Sequence, residues 1–125
     1  MKTSRLGLLF IAKCEGLATS DEMTVATREL VVDRLLKVPV RQHEWDALMS
    51  LGSSGGLKAV VRRLNASKRQ EAADEFLKWS TNAAGEIDLD LLRRRERERL
   101  LFMHAAYGDD LEQGPGATPA GAVLG

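Results

Sequence analysis

The chain has 125 residues, 44% of them hydrophobic, from which one soluble domain with a modest core is expected. Its 18 lysines and arginines balance 18 aspartates and glutamates, so the molecule as a whole lacks the positive field of a protein whose affinity rests on nucleic-acid phosphates, and no nucleic-acid partner is expected. Cys14 is the single cysteine, which excludes an intrachain disulfide and leaves stability to packing.

Hydrophobic spacing is helical almost throughout, and no stretch alternates strictly enough to mark a half-buried strand. An all-α fold is expected. The first helix should run from about residue 4 to 15, burying Leu8, Leu9, Ile11 and Ala12, with Gly16 able to end it in a left-handed conformation. The apolar run at residues 6–12 falls short of the roughly 20 residues that span a bilayer. It is followed by Lys13, Cys14 and Glu15 and no small-residue cleavage site, so neither a membrane span nor independent secretion is expected.

Thr19 with Glu22 three residues later has the spacing of a capping box, and predicts a second helix reaching about Lys37. Met23, Ala26, Thr27, Leu30, Val31 and Leu35 form its apolar stripe, with Arg28, Glu29 and Asp33 pointing elsewhere. Pro39 closes it. A third helix, about residues 41–51, presents Trp45, Leu48 and Met49; a glycine-serine loop at residues 52–56 interrupts it, and a short fourth helix turns Leu57, Val60, Val61 and Leu64 inward. Ser67 with Gln70 marks a fifth helix that buries Ala73, Phe76 and Leu77, with Trp79 positioned to close the core.

The last helix is expected from about residue 88 to 107, with Leu92, Glu96, Arg99, Leu100 and Met103 at helical spacing. Its centre, from Arg93 to Arg99, mixes charges three and four apart, as a solvated face with mutual ion pairs would. The positive excess there makes Arg93, Arg94, Arg95 and Arg97 candidates for partner binding. From residue 108 the chain is rich in Gly, Ala and Pro, so a helical domain at 1–107 is expected to carry a disordered or partner-bound tail at 108–125.

Three segments then carry a resemblance: VPVRQHEWDALMSL, LNASKRQEAADEFLKW and LLRRRERERLLF, in that order, preceded by IAKCEGL. Together they are similar to the phage-type lysozymes, the muramidases with which phages cut bacterial peptidoglycan. The resemblance implies a compact bundle like the helical lobe of those enzymes, peptidoglycan as a binding partner, a phage or prophage origin and no cofactor. It also implies a catalytic role for Glu15, the counterpart of the glutamate at the end of the family's first helix, which protonates the departing glycosidic oxygen.

In the family a second carboxylate follows that glutamate by nine residues and a threonine by six more. Here those offsets fall on Thr24 and Leu30. The family's glycine-, tyrosine- and threonine-rich segment is absent, and a small sheet needs two strands of about five or six residues each and a turn, which residues 17–20 cannot supply. The small β-lobe is therefore expected to be missing. Asp21, with Thr24 or Thr27 as its neighbour, is the carboxylate to weigh as a replacement, against its simpler role as a first-turn acid favoured by the helix dipole. His43 and His104 lack metal-ligand spacing, so no metal site is expected. These losses favour a structural or interaction protein, contacting peptidoglycan or phage or tail-assembly proteins, over an active hydrolase. It would be made in the bacterial cytoplasm and be virion-associated or delivered to the cell wall.

Overall fold

The computed structural model describes residues 1–15, 24–52 and 54–108. They form six α-helices: α1 (Arg5–Glu15), α2 (Val25–Leu35), α3 (Gln42–Leu51), α4 (Ser54–Asn65), α5 (Arg69–Glu75) and α6 (Leu89–His104). A 3-10 turn at Phe76–Lys78 extends α5. Among the described residues there is no strand; a single antiparallel bridge joins Thr81 to Ile87. The expected all-α bundle is present.

The centre of the bundle is α3, whose eight consecutive residues from Glu44 to Leu51 are all buried. A helix buried on every side must be surrounded, and α3 packs against α6, α1, α4 and α2. Its start is fixed by the Arg41 N–H donating to the Glu44 carboxylate at 2.8 Å, and its end by Gly52 at φ 75°. Around it Phe10, Ile11, Val32, Leu57, Leu64, Phe76 and Phe102 complete one continuous core.

Several expected faces are rotated. On α1 the buried residues are Gly7, Phe10, Ile11 and Cys14, whereas Leu8 is 50% exposed and Ala12 is also outside. Gly7 explains the rotation: the side without a Cβ lies against Asp46, which is fully buried and accepts bonds from the Ser4 N–H at 3.1 Å, the Ser4 hydroxyl at 2.5 Å and the Tyr107 hydroxyl at 2.6 Å. A carboxylate over the first turn of α1 also suits the helix dipole.

On α2 the expected stripe is likewise displaced, since Leu30 is 65% exposed while Arg28 and Val32 are buried. Arg28 donates to the Met49 carbonyl at 2.7 Å, so a guanidinium that satisfies an α3 carbonyl takes the inward position. The Thr19 and Glu22 start signal lies outside the described residues; the helix described begins at Val25, capped by Thr24, whose hydroxyl accepts from the Thr27 N–H at 3.2 Å.

The glycine-serine loop is shorter than expected, because α4 already includes Gly55 and Gly56. These glycines serve close approach: a Cβ on Gly56 would stand 3.2 Å from the Trp79 ring, and one on Gly55 2.9 Å. Ser67 is not the cap of α5. It takes φ 61° and closes α4, its N–H bonding the Leu64 carbonyl, and Lys68 precedes α5 instead. Leu77 is 36% exposed rather than buried. At the far end α6 stops at His104, where Ala105 adopts a left-handed conformation and the chain turns so that Tyr107 reaches Asp46. The expected tail from residue 109 lies outside the described residues.

Candidate active site

Glu15 is the last residue of α1, and its side chain is 32% exposed. One carboxylate oxygen accepts a hydrogen bond from Arg94 of α6 at 3.2 Å. Arg94 itself is fully buried. Its Nε donates to Glu98 at 3.0 Å and its Nη2 also reaches the Ser50 carbonyl at 2.7 Å. Burial alone would lower the Arg94 pKa, but the bond to Glu15 and the charge of Glu98 outweigh it and raise the value above that of an ordinary arginine.

Glu98 is the hub beneath. It is 0% exposed and accepts from Arg94, from Arg95 Nη1 at 2.7 Å and from the Ser50 hydroxyl at 2.5 Å. Arg95 continues to the Trp79 carbonyl at 2.8 Å. The group therefore joins the ends of α1 and α3, the middle of α6 and the turn after α5. Cys14, next to Glu15 and buried, hydrogen-bonds Ser50; burial first and the Glu98 charge second push its thiol up to about 11, which keeps it protonated and unreactive at neutral pH.

This network corrects the reading of the α6 charges as a solvated or partner-binding face. Arg94 and Arg95 are interior and satisfied by Glu98, Ser50 and Trp79, so neither is available to a partner. Only Arg93 and Arg97 of those four are exposed; Arg93 lies 3.7 Å from Asp90. Arg97 borders a groove of about 290 Å³ between α1 and α6, whose other walls include Phe10, Lys13, Cys14 and Tyr107. The spacing of Glu98 from Arg94 and Arg95 was visible in the sequence. Its burial was not, because an arginine-rich heptapeptide reads as surface until a partner carboxylate inside the fold is known.

The other expected site residues do not converge. Thr24 is an N-cap, Leu30 points outward, and Asp21 lies outside the described residues. His43 is held by the Leu101 carbonyl at 3.0 Å, and His104 ends α6. Among the described residues no three His, Cys, Asp or Glu side chains are grouped to hold a metal. Chemically, the arrangement presents one partly exposed carboxyl, Glu15, fixed from below by a buried cation whose own counter-charge is sealed in the core.

Residues 10–98 match the family model for phage lysozyme. The chain belongs to the phage lysozyme family. The endolysin of Salmonella phage P22 is 34% identical to it, and the aligned part covers 78% of each chain. That alignment is 116 positions long yet occupies only 78% of this 125-residue phage lysozyme relative, so some positions of the P22 protein face gaps here. The endolysin of Bacillus phage B103 is 46% identical over 77 residues, which cover 58% of this chain and 29% of the B103 protein. The chain thus spans under a third of that relative. In fold it is similar to the endolysin from Escherichia coli O157:H7 phage FAHEc1, with a TM-score of 0.63 at 22% identity, covering 86% of this chain and 97% of that one.

Proposed function

We propose that this member of the phage lysozyme family is an interaction protein on the helical lysozyme scaffold, one that contacts peptidoglycan, or a phage assembly that meets it, without cutting glycan strands by itself. One observation carries the reading: nine residues after Glu15 the chain has already reached Thr24, which caps α2. The eight intervening residues are fewer than the two strands of about five or six residues and the turn that a small sheet needs. A glycosidase needs a second carboxyl group placed across the sugar from the acid and walls that exclude water. Glu98, the acid linked to Glu15 through Arg94, is sealed in the core and cannot reach a sugar.

A second reading has its own support. Glu15 remains partly exposed at the end of α1 and is oriented by Arg94, as a general acid must be, and Asp21 is close enough in sequence to supply the other carboxylate. Turbidity clearing of permeabilised bacteria by the purified chain and by Glu15→Gln separates the two. The non-catalytic reading expects no clearing by either, with retention on sedimented peptidoglycan sacculi by both; clearing by the parent and not by Glu15→Gln overturns it.

A further inference from the structure

Eight of the chain's 18 lysines and arginines fall in two acid-free stretches. Residues 34–43 hold Arg34, Lys37 and Arg41; residues 57–70 hold Lys58, Arg62, Arg63, Lys68 and Arg69. The fold brings the two together. Asn65, the last residue of α4, accepts from the Lys37 N–H at 2.8 Å and donates to the Leu35 carbonyl at 2.8 Å. Arg69 donates to the Pro39 carbonyl at 2.8 Å. The ends of α2 and α4 and the starts of α3 and α5 therefore meet at one pole of the molecule. Seven of the eight cations crowd this pole, all of them exposed except the half-buried Arg63; Lys58, also exposed, stands apart in the second turn of α4.

Structural roles account for only part of this cluster. Arg69 is committed to Glu44, while Arg63 and Lys68 lie 3.9 and 3.7 Å from Glu71. Arg34 and Arg62 stand in the last turns of α2 and α4, where a cation suits the helix dipole. Yet Arg34, Lys37, Arg41, Lys58 and Arg62 have no ion-pair partner among the described residues. The pole is also separate from Glu15: Arg41 adjoins the start of α3 and Ser50, beside Arg94, stands near its end, about 15 Å away for a ten-residue helix.

We infer that this pole is a docking surface for a lipid bilayer rich in anionic phosphate headgroups. The charge complementarity is direct, since several clustered cations act jointly on an anionic surface even when the whole protein is neutral. Three features favour lipid over nucleic acid. The cations sit on the ends of four elements, not along a helix or groove that tracks a phosphate backbone. Leu30, exposed one turn before Arg34 on α2, adds an apolar contact that a headgroup interface accepts. The stacking aromatics that single-stranded nucleic acids require are not at this pole: Phe10, Trp45, Phe76 and Phe102 are in the core, and the partly buried Trp79 and Tyr107 pack against Gly56 and reach Asp46, respectively.

The test is co-sedimentation of the full chain with phosphatidylglycerol-containing vesicles and with phosphatidylcholine vesicles, with duplex DNA as the competitor. Expected is binding to the anionic vesicles alone of the two, released at about 1 M salt where the Debye length is about 3 Å, and undiminished by DNA. Combining Arg34→Gln, Lys37→Gln, Arg41→Gln and Arg62→Gln should weaken it by about a thousandfold while the helical circular dichroism is kept. Equal binding to both vesicles, none to either, displacement by DNA, or full binding by the helical quadruple variant overturns the inference; the parent's lipid and salt dependence decides it even if that variant fails to fold.

Discussion

At the scale of single residues the decisive feature is the inequality between Glu15 and Glu98, two glutamates on one arginine. Glu98 is wholly buried and answers two buried guanidinium groups, so its loss leaves Arg95 without a counter-charge and Arg94 with only the partly exposed Glu15. Removing one partner of a buried pair costs about 3–5 kcal/mol. Glu98→Ala should therefore lower the urea-unfolding free energy by about that much, or fail to fold at 37 °C, with circular dichroism as the readout. Glu15 shares Arg94 but is one-third exposed, and Arg94 keeps Glu98 and the Ser50 carbonyl without it. Solvent-screened pairs contribute roughly 0–1 kcal/mol, so Glu15→Gln should unfold within about 1 kcal/mol of the parent. A larger loss would make Glu15 a structural member of the network.

At the scale of elements, helix existence was legible and helix orientation was not. Periodicity located six helices because each needs only local spacing, whereas the expected cap Ser67 closes α4 instead of starting α5 and the Thr19 and Glu22 signal lies outside the described residues. Which face of α1 and α2 turns inward depends on Asp46 and Met49, partners from distant parts of the chain. Glu15 was legible as a candidate through its motif, whereas Ser50 and Glu98 beneath it become visible only once α3 and α6 are packed together. Gly7 tests this account. In an exposed helix Gly→Ala stabilises by about 0.5–1 kcal/mol, but a Cβ on Gly7 would stand 2.4 Å from the Asp46 side chain. That carboxylate cannot yield without loosening Ser4 and Tyr107. Gly7→Ala is expected to destabilise by about 1–3 kcal/mol, seen as a lower melting temperature; an increase would show that α1 is not seated on Asp46.

Across the whole molecule, three further carboxylates among the described residues act, like Asp46 and Glu98, as joints between elements. Glu29 of α2 accepts from the Thr3 N–H and hydroxyl, both at 2.8 Å, and binds the N-terminal strap. Glu44 joins α3 to α5 through Arg69, and Asp74 joins α5 to α6 through Arg99 at 2.8 Å. All three have pKa values held below the ordinary carboxylate range. The Thr3 N–H is the main cause at Glu29 and the Arg99 bond at Asp74. At Glu44 burial opposes the shift, and the Arg69 and Arg41 bonds overcome it. A depressed value in the folded state means that the stabilisation is complete above the unfolded value, 4.5 for glutamate, and is lost as pH falls through the folded one. The chain should thus hold its stability at neutral pH and loosen at these joints together below that point. Glu44→Gln isolates one of them. Because Arg69 is half exposed, the loss at pH 7 should be about 1–2 kcal/mol in urea titrations. The gap between variant and parent should close as pH drops below 4.5. A gap that persists unchanged into acid would mean that Glu44 stabilises the fold by packing and not by its charge.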